Sequence, residues 1–510
     1  MKIADLAVAG VKTERLKWLH GAAASRTGSH VLYWMQTSLR TRFNYSLHVA
    51  VTAANTLRLP LYVLFTFDTR EALMSERHMA FLLESLVDTK KALGNIPIEA
   101  IHCAAGSKGP LDLVLGAAAG ASLVVTDHPY IRAGRKQTEL FAEQANVPVL
   151  QVEGDVVVPV TVVSTKEEYA ARTIRPKITK HLPQYLIPLS PNTYDAHDDQ
   201  MPLREFKAMD LTPNDHWIDL GSSVDALLAD ADDVDRSIPR VSTFLGGETQ
   251  AQAVLATFLS DKLLKYDKER NEPSGNGASN MSPFLHYGTI SPVDIALQVQ
   301  AKEGRGPAMA ASKASFLEEL IVRRELSMNF VWFNPNHYDT IKSLPPFATE
   351  TLAIHAEDKR AYVYSEEELD KAMTHDAFWN AAQLDMISNG KMQNYMRMYW
   401  GKKIIEWTSS PEEAYGICVR LNDKYNLDGF DPNSYAGIAW VFGKHDTGWT
   451  ERPIFGKVRY MNADGLKRKY DMTAYVNMIK RQCAKVKMTL LPKQLAIEIT
   501  KPKAKRQKKA

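Results

Sequence analysis

The sequence predicts an α/β domain built on a doubly wound parallel sheet, followed by a larger all-helical domain. Apolar, strand-like runs recur with amphipathic segments between residues 30 and about 155. After about residue 205 long stretches of helical period replace them. A chain of 510 residues also exceeds what one ordinary hydrophobic core contains, so more than one domain is expected.

The apolar runs of the first part indicate parallel strands. Runs this apolar are typical of strands that crossover helices bury on both faces, as in a Rossmann-like sheet. No Gly-x-Gly-x-x-Gly and no Gly-x-x-x-x-Gly-Lys-Ser/Thr follows them, so an ordinary dinucleotide or nucleotide site is not supported here. The runs span residues 30–35, 59–67, 98–104, 121–127 and 147–153.

Composition divides the chain into four predicted regions. The α/β domain covers 28–160, and a linker of mixed basic, proline and polar residues covers 161–204. The helical domain covers 205–490, and a basic tail that we expect to be disordered covers 491–510. The predicted helical stretches are 247–267, 312–332 and 388–408.

Charge and cysteine content indicate an intracellular protein, nuclear in a eukaryote and otherwise cytoplasmic. The net charge is +3, but the last ten residues carry six Lys/Arg, so the rest of the chain is slightly acidic. Such a tail can attract a phosphate backbone or act as a nuclear address, or it can be solvated without a partner. The sequence has no secretion signal, no apolar run long enough for a bilayer and no metal-ligand spacing. The three cysteines, Cys103, Cys418 and Cys483, are too widely separated for a disulfide framework.

The segment 388–408 carries the most informative side chains. At 100° per residue, Asn394, Arg397 and Met398 share one helix face. Trp400 and Trp407 are seven residues apart and share another face. Two indoles so placed could relay an electron, although aromatic residues at helical spacing usually fill a core.

Three further segments each have a functional and an ordinary interpretation. Residues 421–440 form a loop rich in Asn, Asp, Gly and Pro, which can hold a polar ring or simply join two helices. Ser279, Asn280 and Ser282 precede a helix that begins near Pro283, and they can bind a pyrophosphate or cap that helix. The acidic and basic residues of 316–326 can form surface ion pairs, or one glutamate can contact a pyrimidine.

In this order, the segments resemble the photolyase/cryptochrome family, and specifically the class II cyclobutane-pyrimidine-dimer photolyases. The resemblance is dense in the helical part and extends more weakly back to VLYWM (31–35). The motifs that carry it are SNMSPFLHYG (279–288), EELIVRRELSMNF (318–330), THDAFWNAAQ (374–383), GKMQNYMRMYWGKKIIEW (390–407), LNDKYNLDGFDPNSYAGIAW (421–440) and ERPIFGKVRYM (451–461).

The resemblance implies that the helical domain binds FAD, active as FADH⁻, and that the α/β domain can hold a second, antenna pigment. It assigns Arg397 and Asp428 as a salt-bridged pair beside the flavin ring and Asn422 as the residue that faces flavin N5. Asp431 falls in the same loop. The other implied FAD contacts are Tyr266, Ser279, Asn280, Met281 and Ser282.

The resemblance also implies a pocket for the DNA lesion and a route for electrons. Trp379, Trp400 and Trp407 match the electron-transfer tryptophans of the class. Thr447 stands where class members usually carry an arginine, so weaker affinity for duplex DNA is expected. The implied lesion and DNA contacts are Arg270, Asn271, Glu319, Asn394, Met398, Trp440, Trp449 and Arg452.

The implied function is light-driven repair by a monomeric carbon–carbon lyase acting on DNA that contains cyclobutane pyrimidine dimers. FADH⁻ would pass an electron to the flipped-out dimer, the ring would open and the electron would return. Three alternatives stay open on the same sequence: a cryptochrome-type blue-light receptor, repair of the (6-4) photoproduct and a helical DNA-binding scaffold without flavin.

Overall fold

The structure is a computed structural model that describes residues 1–496 except 8–9, 22, 25–26, 70–73, 105, 108, 196–214, 232 and 493. Strands β2 to β7 lie in the first third of the chain, with one helix or more between most successive strands. The strands are β1 (Leu16–His20), β2 (His30–Met35), β3 (Leu61–Asp68), β4 (Met74–Ser75), β5 (Ile98–Cys103), β6 (Ala121–Asp127), β7 (Val149–Val152), β8 (Asp215–Ile218) and β9 (Val234–Asp235).

The main sheet has the order β1-β7-β6-β2-β3-β5-β8. Its five inner strands are parallel, and they are the five strands that the apolar runs predict. Every residue of the central strand β2 is buried, because helices cover both faces. β1 and β8 pair antiparallel at the two edges, and β4 and β9 form a separate small sheet. The predicted fold class is confirmed.

Helices dominate the remainder of the described chain. Two π-helical turns, Phe258–Lys262 and Glu318–Arg323, interrupt the helical stretches predicted at 247–267 and 312–332. The α-helices are α1 (Ile3–Leu6), α2 (Tyr45–Leu57), α3 (Glu76–Leu93), α4 (Pro110–Ala118), α5 (Arg132–Gln144), α6 (Val160–Val163), α7 (Ala171–Tyr185), α8 (Val224–Asp230), α9 (Glu248–Thr257), α10 (Tyr266–Glu269), α11 (Ser282–His286), α12 (Pro292–Ala301), α13 (Pro307–Leu317), α14 (Arg324–Phe333), α15 (Pro346–Ile354), α16 (Glu366–Asp370), α17 (Ala377–Asn389), α18 (Asn394–Trp407), α19 (Pro411–Tyr425), α20 (Pro432–Val441), α21 (Ala463–Lys469) and α22 (Met472–Lys485).

Three local predictions need correction. The strand signal does not end at 205, since β8 adds an edge to the main sheet, but a four-residue edge strand leaves little periodicity to detect. The predicted linker contains the 15-residue helix α7, which persists despite Pro176 and Pro183 because buried apolar residues anchor it. The stretch 388–408 is broken at Gly390, whose left-handed φ of 73° ends α17.

The predicted region boundaries stay predictions, and part of them falls outside the described residues. Residues 196–204 of the linker and 497–510 of the tail are among those that the structure does not describe. Within the described part, no helix is both long and apolar enough to cross a membrane. The three cysteines all lie in that part, where they are buried and form no disulfide.

Buried arginines connect the α/β domain to the helices by hydrogen bonds. Arg40 is fully buried, pairs with Asp155 at 3.0 Å and donates to the Gly288 carbonyl at 2.8 Å. Arg77 in α3 donates to the carbonyls of Met386 (3.1 Å) and Tyr425 (2.7 Å), at the ends of α17 and α19. Arg77 thus adds donors to backbone carbonyls in the last turns of α17 and α19.

Candidate functional site

An ion pair between a half-buried arginine and a buried aspartate lies at the first turn of α18. Arg397 Nη2 donates to Asp428 Oδ1 at 2.9 Å, which is the pairing that the resemblance implies. Burial by itself would raise the pKa of Asp428, but Arg397, Lys391 and the Ser282 hydroxyl hold it below its usual value. The carboxylate is therefore ionised. Arg397 Nε is buried and has no hydrogen-bond partner within the described residues.

Lys391 joins this pair to the segment 279–282, which the sequence predicts as a cofactor contact. Its Nζ donates to Asn280 Oδ1 at 3.1 Å, and Asn280 has a left-handed φ of 61°. Burial lowers the pKa of Lys391 to about 8, with Arg397 acting in the same direction and Asp428 opposing it. Lys391 and Arg397 thus both interact with Asp428. The sequence prediction missed Lys391, although it lies within the recognised motif 390–407.

Asn422 lies inside helix α19 rather than in a loop, and the connecting loop is only 426–431. The Asn422 amide nitrogen donates to Asp423 Oδ1 (3.0 Å) and Ser434 Oγ (2.5 Å), and its oxygen accepts from Asn426 at 3.0 Å. This amide is fully hydrogen-bonded within the protein. A flavin N5 atom would have to replace one of these partners.

The loop 426–431 folds tightly against α19. A Cβ atom at Gly429 would lie 2.8 Å from the Asp423 Cα, so only glycine fits this approach. Asp431 caps α20 by accepting from Asn433 N at 2.7 Å and lies 3.4 Å from His286 Nδ1. Burial would raise the pKa of Asp431, but the hydrogen bond and charge of His286 lower it.

Three predicted contacts, Tyr266, Arg270 and Glu319, form one cluster. Arg270 pairs with Glu319 at 2.9 Å, and its guanidinium lies 5.9 Å from the Tyr266 ring centroid. Glu319 lies on the second π-helical turn, a geometry often found at functional sites. The amide of Gln393, which caps α18, donates to the Arg270 carbonyl at 3.0 Å. Asn271, the next residue, is half-buried.

The remaining predicted lesion contacts lie on α18 and α20. Asn394 begins α18 and is exposed, whereas Met398 is half-buried. Trp440 lies within α20 and is half-buried. The Arg323 guanidinium lies 5.2 Å from the Trp440 ring centroid, which adds a cation–π contact that the sequence did not predict.

The three predicted tryptophans are in mutual contact. The rings of Trp379 and Trp400 are nearly parallel, with centroids 6.5 Å apart, and the rings of Trp379 and Trp407 are 5.7 Å apart. All three are at most 2% exposed. Helical spacing predicts that Trp400 and Trp407 share one helix face. The structure shows that the ring of Trp379 contacts both.

Other aromatic side chains continue from Trp407 to the surface. The rings of His375 and Tyr364 lie 5.2 Å and 5.5 Å from Trp407, and Tyr364 Oη is 2.7 Å from His375 Nδ1. Tyr362 stacks on His375 at 3.7 Å and is 49% exposed. The sequence has no periodic signal for this group, because its residues belong to an irregular segment.

Trp449 and Arg452 lie in a separate surface loop. Trp449 is 49% exposed and donates to Asp446 at 3.2 Å. The Arg459 guanidinium lies 5.2 Å from its ring centroid, and Arg452 lies over Tyr460 at 5.4 Å. Thr447 is exposed in the same loop. Arg459 was missed, although it lies within the recognised motif 451–461.

Comparison with known proteins decides the family. A family model described as DNA photolyase matches residues 31–195. A curated protein named deoxyribodipyrimidine photo-lyase, from Methanothermobacter thermautotrophicus, is 42% identical over 92% of this chain and 99% of its own length. The chain belongs to the DNA photolyase family. The predictions of this family and of an enzyme are thus confirmed, whereas class II and the roles of the site residues stay predictions.

Solved structures of lower identity share the fold. A photolyase from Sulfolobus tokodaii, described with two FAD molecules, has a TM-score of 0.61 at 15% identity and covers 90% of this chain and 91% of its own. A cryptochrome from Synechocystis has a TM-score of 0.62 at 15% identity and covers 90% of each chain. Because both photolyases and cryptochromes have this fold, the fold alone does not separate repair from signalling.

Proposed function

We propose that this photolyase-family enzyme is a class II member that repairs cyclobutane pyrimidine dimers in DNA under light, with FAD in its fully reduced form as cofactor. The observation that carries the proposal is the largely buried Arg397–Asp428 pair with Lys391 and Asn280 beside it. The α/β domain is where a second, antenna pigment would bind.

The residues around the ion pair suit an anionic, hydrogen-bonding cofactor. Lys391 and Arg397 both interact electrostatically with Asp428, so two cationic donors are available to an anionic group at this position. Arg397 Nε, which finds no acceptor in the described part of the chain, is a buried donor that a ligand acceptor would satisfy. We therefore assign FAD binding to the cluster and its neighbours: Tyr266, Ser279, Asn280, Met281, Ser282, Lys391, Arg397, Asn422, Asp428 and Asp431.

When bound, reduced FAD supplies the photoexcited electron that opens the cyclobutane ring. The protein's task is to bring an extruded dimer close and keep water away. Trp440 and Met398 offer apolar surfaces that replace the stacking lost on flipping, at about 1–3 kcal/mol per base. Glu319, held by Arg270, is positioned to accept a hydrogen bond from a pyrimidine N–H.

The three tryptophans form the electron-transfer chain in this proposal. Trp379 contacts both Trp400 and Trp407, so a continuous series of indole contacts runs through the helical domain. Their burial excludes water from the rings. This chain would reduce an oxidised cofactor under light, and it is not required for repair by an enzyme that is already reduced.

The test is to illuminate a thymine-dimer oligonucleotide with the purified, chemically reduced protein and to measure restored thymines by chromatography. We expect a yellow protein that restores thymines only in light. Trp407→Phe is the matched control, because it should lose photoreduction of the oxidised cofactor yet retain repair when reduced beforehand. A protein that takes up FAD and responds to light but restores no thymine would favour the cryptochrome-type receptor.

A further inference from the structure

We propose that Arg323 is a positioning residue that holds the Trp440 indole in place for the flipped lesion, an inference that rests on the proposed function. The Arg323 guanidinium lies 5.2 Å from the centroid of the Trp440 ring, which is within cation–π distance. Both side chains are half-buried. A half-buried indole that changes rotamer freely would lose that freedom when a base stacks on it, so a contact that fixes the ring beforehand favours binding.

The π-helical turn Glu318–Arg323 brings Arg323 together with its acidic partner. In a regular α-helix, residues five apart point about 140° away from each other. The hydrogen bonds of a π-helix join residues i and i+5, and in this turn Glu318 Oε1 lies 3.4 Å from Arg323 Nε. The next glutamate, Glu319, pairs with Arg270 instead, at 2.9 Å. The turn thus directs one glutamate to Arg323 and the other to a predicted lesion contact.

A second arginine fixes Glu318 from the other side. Arg175 of α7 donates from Nη2 to Glu318 Oε1 at 2.7 Å and from Nε to Oε2 at 3.0 Å. Such a two-point pairing sets the plane of the carboxylate as well as its place. The hydrogen bond from Arg175 is the main reason that the pKa of Glu318 lies below its usual value. A series of contacts therefore runs from α7 through Glu318 and Arg323 to Trp440.

Trp440 has a second contact that leads back to the same part of the chain. Its ring lies 6.1 Å from the His445 ring, edge to face at 79°. His445 Nδ1 donates to the Tyr169 carbonyl at 2.8 Å, and burial lowers the pKa of His445 to about 4, so the imidazole is neutral. The Tyr169 hydroxyl donates to the Asp446 carbonyl at 2.6 Å. Tyr169 and Arg175 are close in sequence, so one short segment supports both contacts of the indole.

The test is a double-mutant cycle between Arg323 and Trp440, with DNA binding measured in the dark. Arg323→Gln should lower the affinity for a dimer-containing duplex about 2- to 5-fold, the equivalent of one cation–π contact at an exposed site, and leave the affinity for undamaged duplex native. In the Trp440→Ala background the same substitution should change neither affinity, because the ring that it positions is gone. Fluorescence anisotropy of labelled duplexes gives the affinities.

Two variants serve as controls. Arg323→Lys keeps a cation over the ring and should restore most of the affinity that Arg323→Gln loses. Arg135 lies 3.9 Å from the Trp332 ring centroid, so Arg135→Gln removes the same kind of contact from a tryptophan with no predicted role, and both affinities should stay native. Urea denaturation of Arg323→Gln should be nearly native, because Glu318 keeps its pair with Arg175.

Four results would overturn the proposal. An unchanged affinity of Arg323→Gln for the dimer-containing duplex would show that the arginine has no role in binding. The same loss in the Trp440→Ala background would mean that Arg323 contacts the lesion itself. Equal losses on both duplexes with a shallower salt dependence would identify a phosphate contact. A large loss of stability without rescue by lysine would identify a purely structural role.

Fluorine NMR of the 5-fluorotryptophan-labelled protein tests the positioning without DNA. The resonance that is missing from Trp440→Phe belongs to Trp440. Arg323→Gln should shift this resonance, because the label reports the surroundings of the ring, and Arg135→Gln should not. A shifted resonance in a protein with no preference for dimer-containing DNA would support the arginine's hold on the indole and contradict the proposed function. A native preference with an unshifted resonance would contradict the inference alone.

Discussion

Two groups of cations lie around the start of α18, and they are built in opposite ways. In the inner group, Arg397 pairs with Asp428, and Lys391 is hydrogen-bonded to Asn280. In the basic pocket, a cavity lined by Arg452, Arg459, Arg468 and Lys469, three of the four cations contact aromatic rings or a tyrosine hydroxyl instead. In the inner group Asp428 is buried and both cations are half-buried, whereas most of the pocket's cations are exposed.

The difference shows that burial determines whether a cation needs an anionic partner. A buried ion without a partner costs several kcal/mol, so an interior cation needs a carboxylate or a strong acceptor. An exposed cation is already solvated, and a surface ion pair would add only about 0–1 kcal/mol. The pocket can therefore leave its charges available to a polyanion at little cost in stability, and the inner group cannot.

Breaking the Arg397–Asp428 pair should have the largest effect on the free energy of unfolding. Arg397→Met leaves Asp428 as a buried charge that, among the described residues, Lys391 and the Ser282 hydroxyl still stabilise, and we expect the free energy of unfolding to fall by about 3–5 kcal/mol. The double variant Arg397→Met/Asp428→Leu should recover most of this loss, because no uncompensated charge remains. Urea denaturation followed by circular dichroism measures both. A single variant as stable as the native protein would contradict the comparison.

Glu325 extends the comparison to a buried acid, because this interior carboxyl forms no ion pair within the described residues. It accepts from the backbone N–H groups of Val157 (2.6 Å) and Val158 (3.2 Å), and burial raises its pKa from 4.5 to about 8. The native state thus holds a proton that the unfolded state releases near pH 4.5, so stability should be lost as pH rises from about 4.5 to about 8.

Glu325→Gln tests this pH dependence, since the amide oxygen can keep both backbone contacts without a charge. Relative to the native protein, the variant should gain stability progressively between pH 5 and pH 8.5. Urea midpoints across that range measure the difference. Parallel profiles for the two proteins would show that Glu325 is not the group responsible.

A variant of Trp440 tests whether an aromatic contact, rather than charge, holds the DNA lesion. Trp440→Ala removes a stacking surface, and we expect the affinity for dimer-containing DNA to fall by about 1–3 kcal/mol while the affinity for undamaged DNA stays nearly native. Gel-shift titrations with both duplexes provide the measurement. Equal losses on the two DNAs would place Trp440 outside the lesion pocket.

Removing cations from the basic pocket should have the smallest effect on the free energy of unfolding. Arg468→Gln/Lys469→Gln removes exposed charges that form no ion pair with any carboxylate of the described residues, so the free energy of unfolding should change by no more than about 0.5 kcal/mol. The same urea denaturation used for Arg397→Met provides the comparison. A large loss of stability would show that these cations support the fold and are not free for a ligand.

The sequence predicted the candidate site unevenly. The resemblance implied the Arg397–Asp428 pair and named Trp379, Trp400 and Trp407, which the structure brings into contact. The composition of 421–440 predicted a loop at Asn422, whereas the residue lies in α19 with its amide already hydrogen-bonded. The loop prediction was wrong there because residues rich in asparagine and aspartate already occupy the last turn of the helix.

By itself, the sequence determined the parallel strands and the order of the motifs, because apolar periodicity reports local geometry and motif identity needs no coordinates. Only the tertiary structure decided which distant side chains meet. Trp379 contacts both Trp400 and Trp407 because α17 packs on α18, and Arg459 and Lys469 converge because a loop and α21 meet beside Tyr395. Such contacts depend on how the elements pack, which local spacing along a chain does not record.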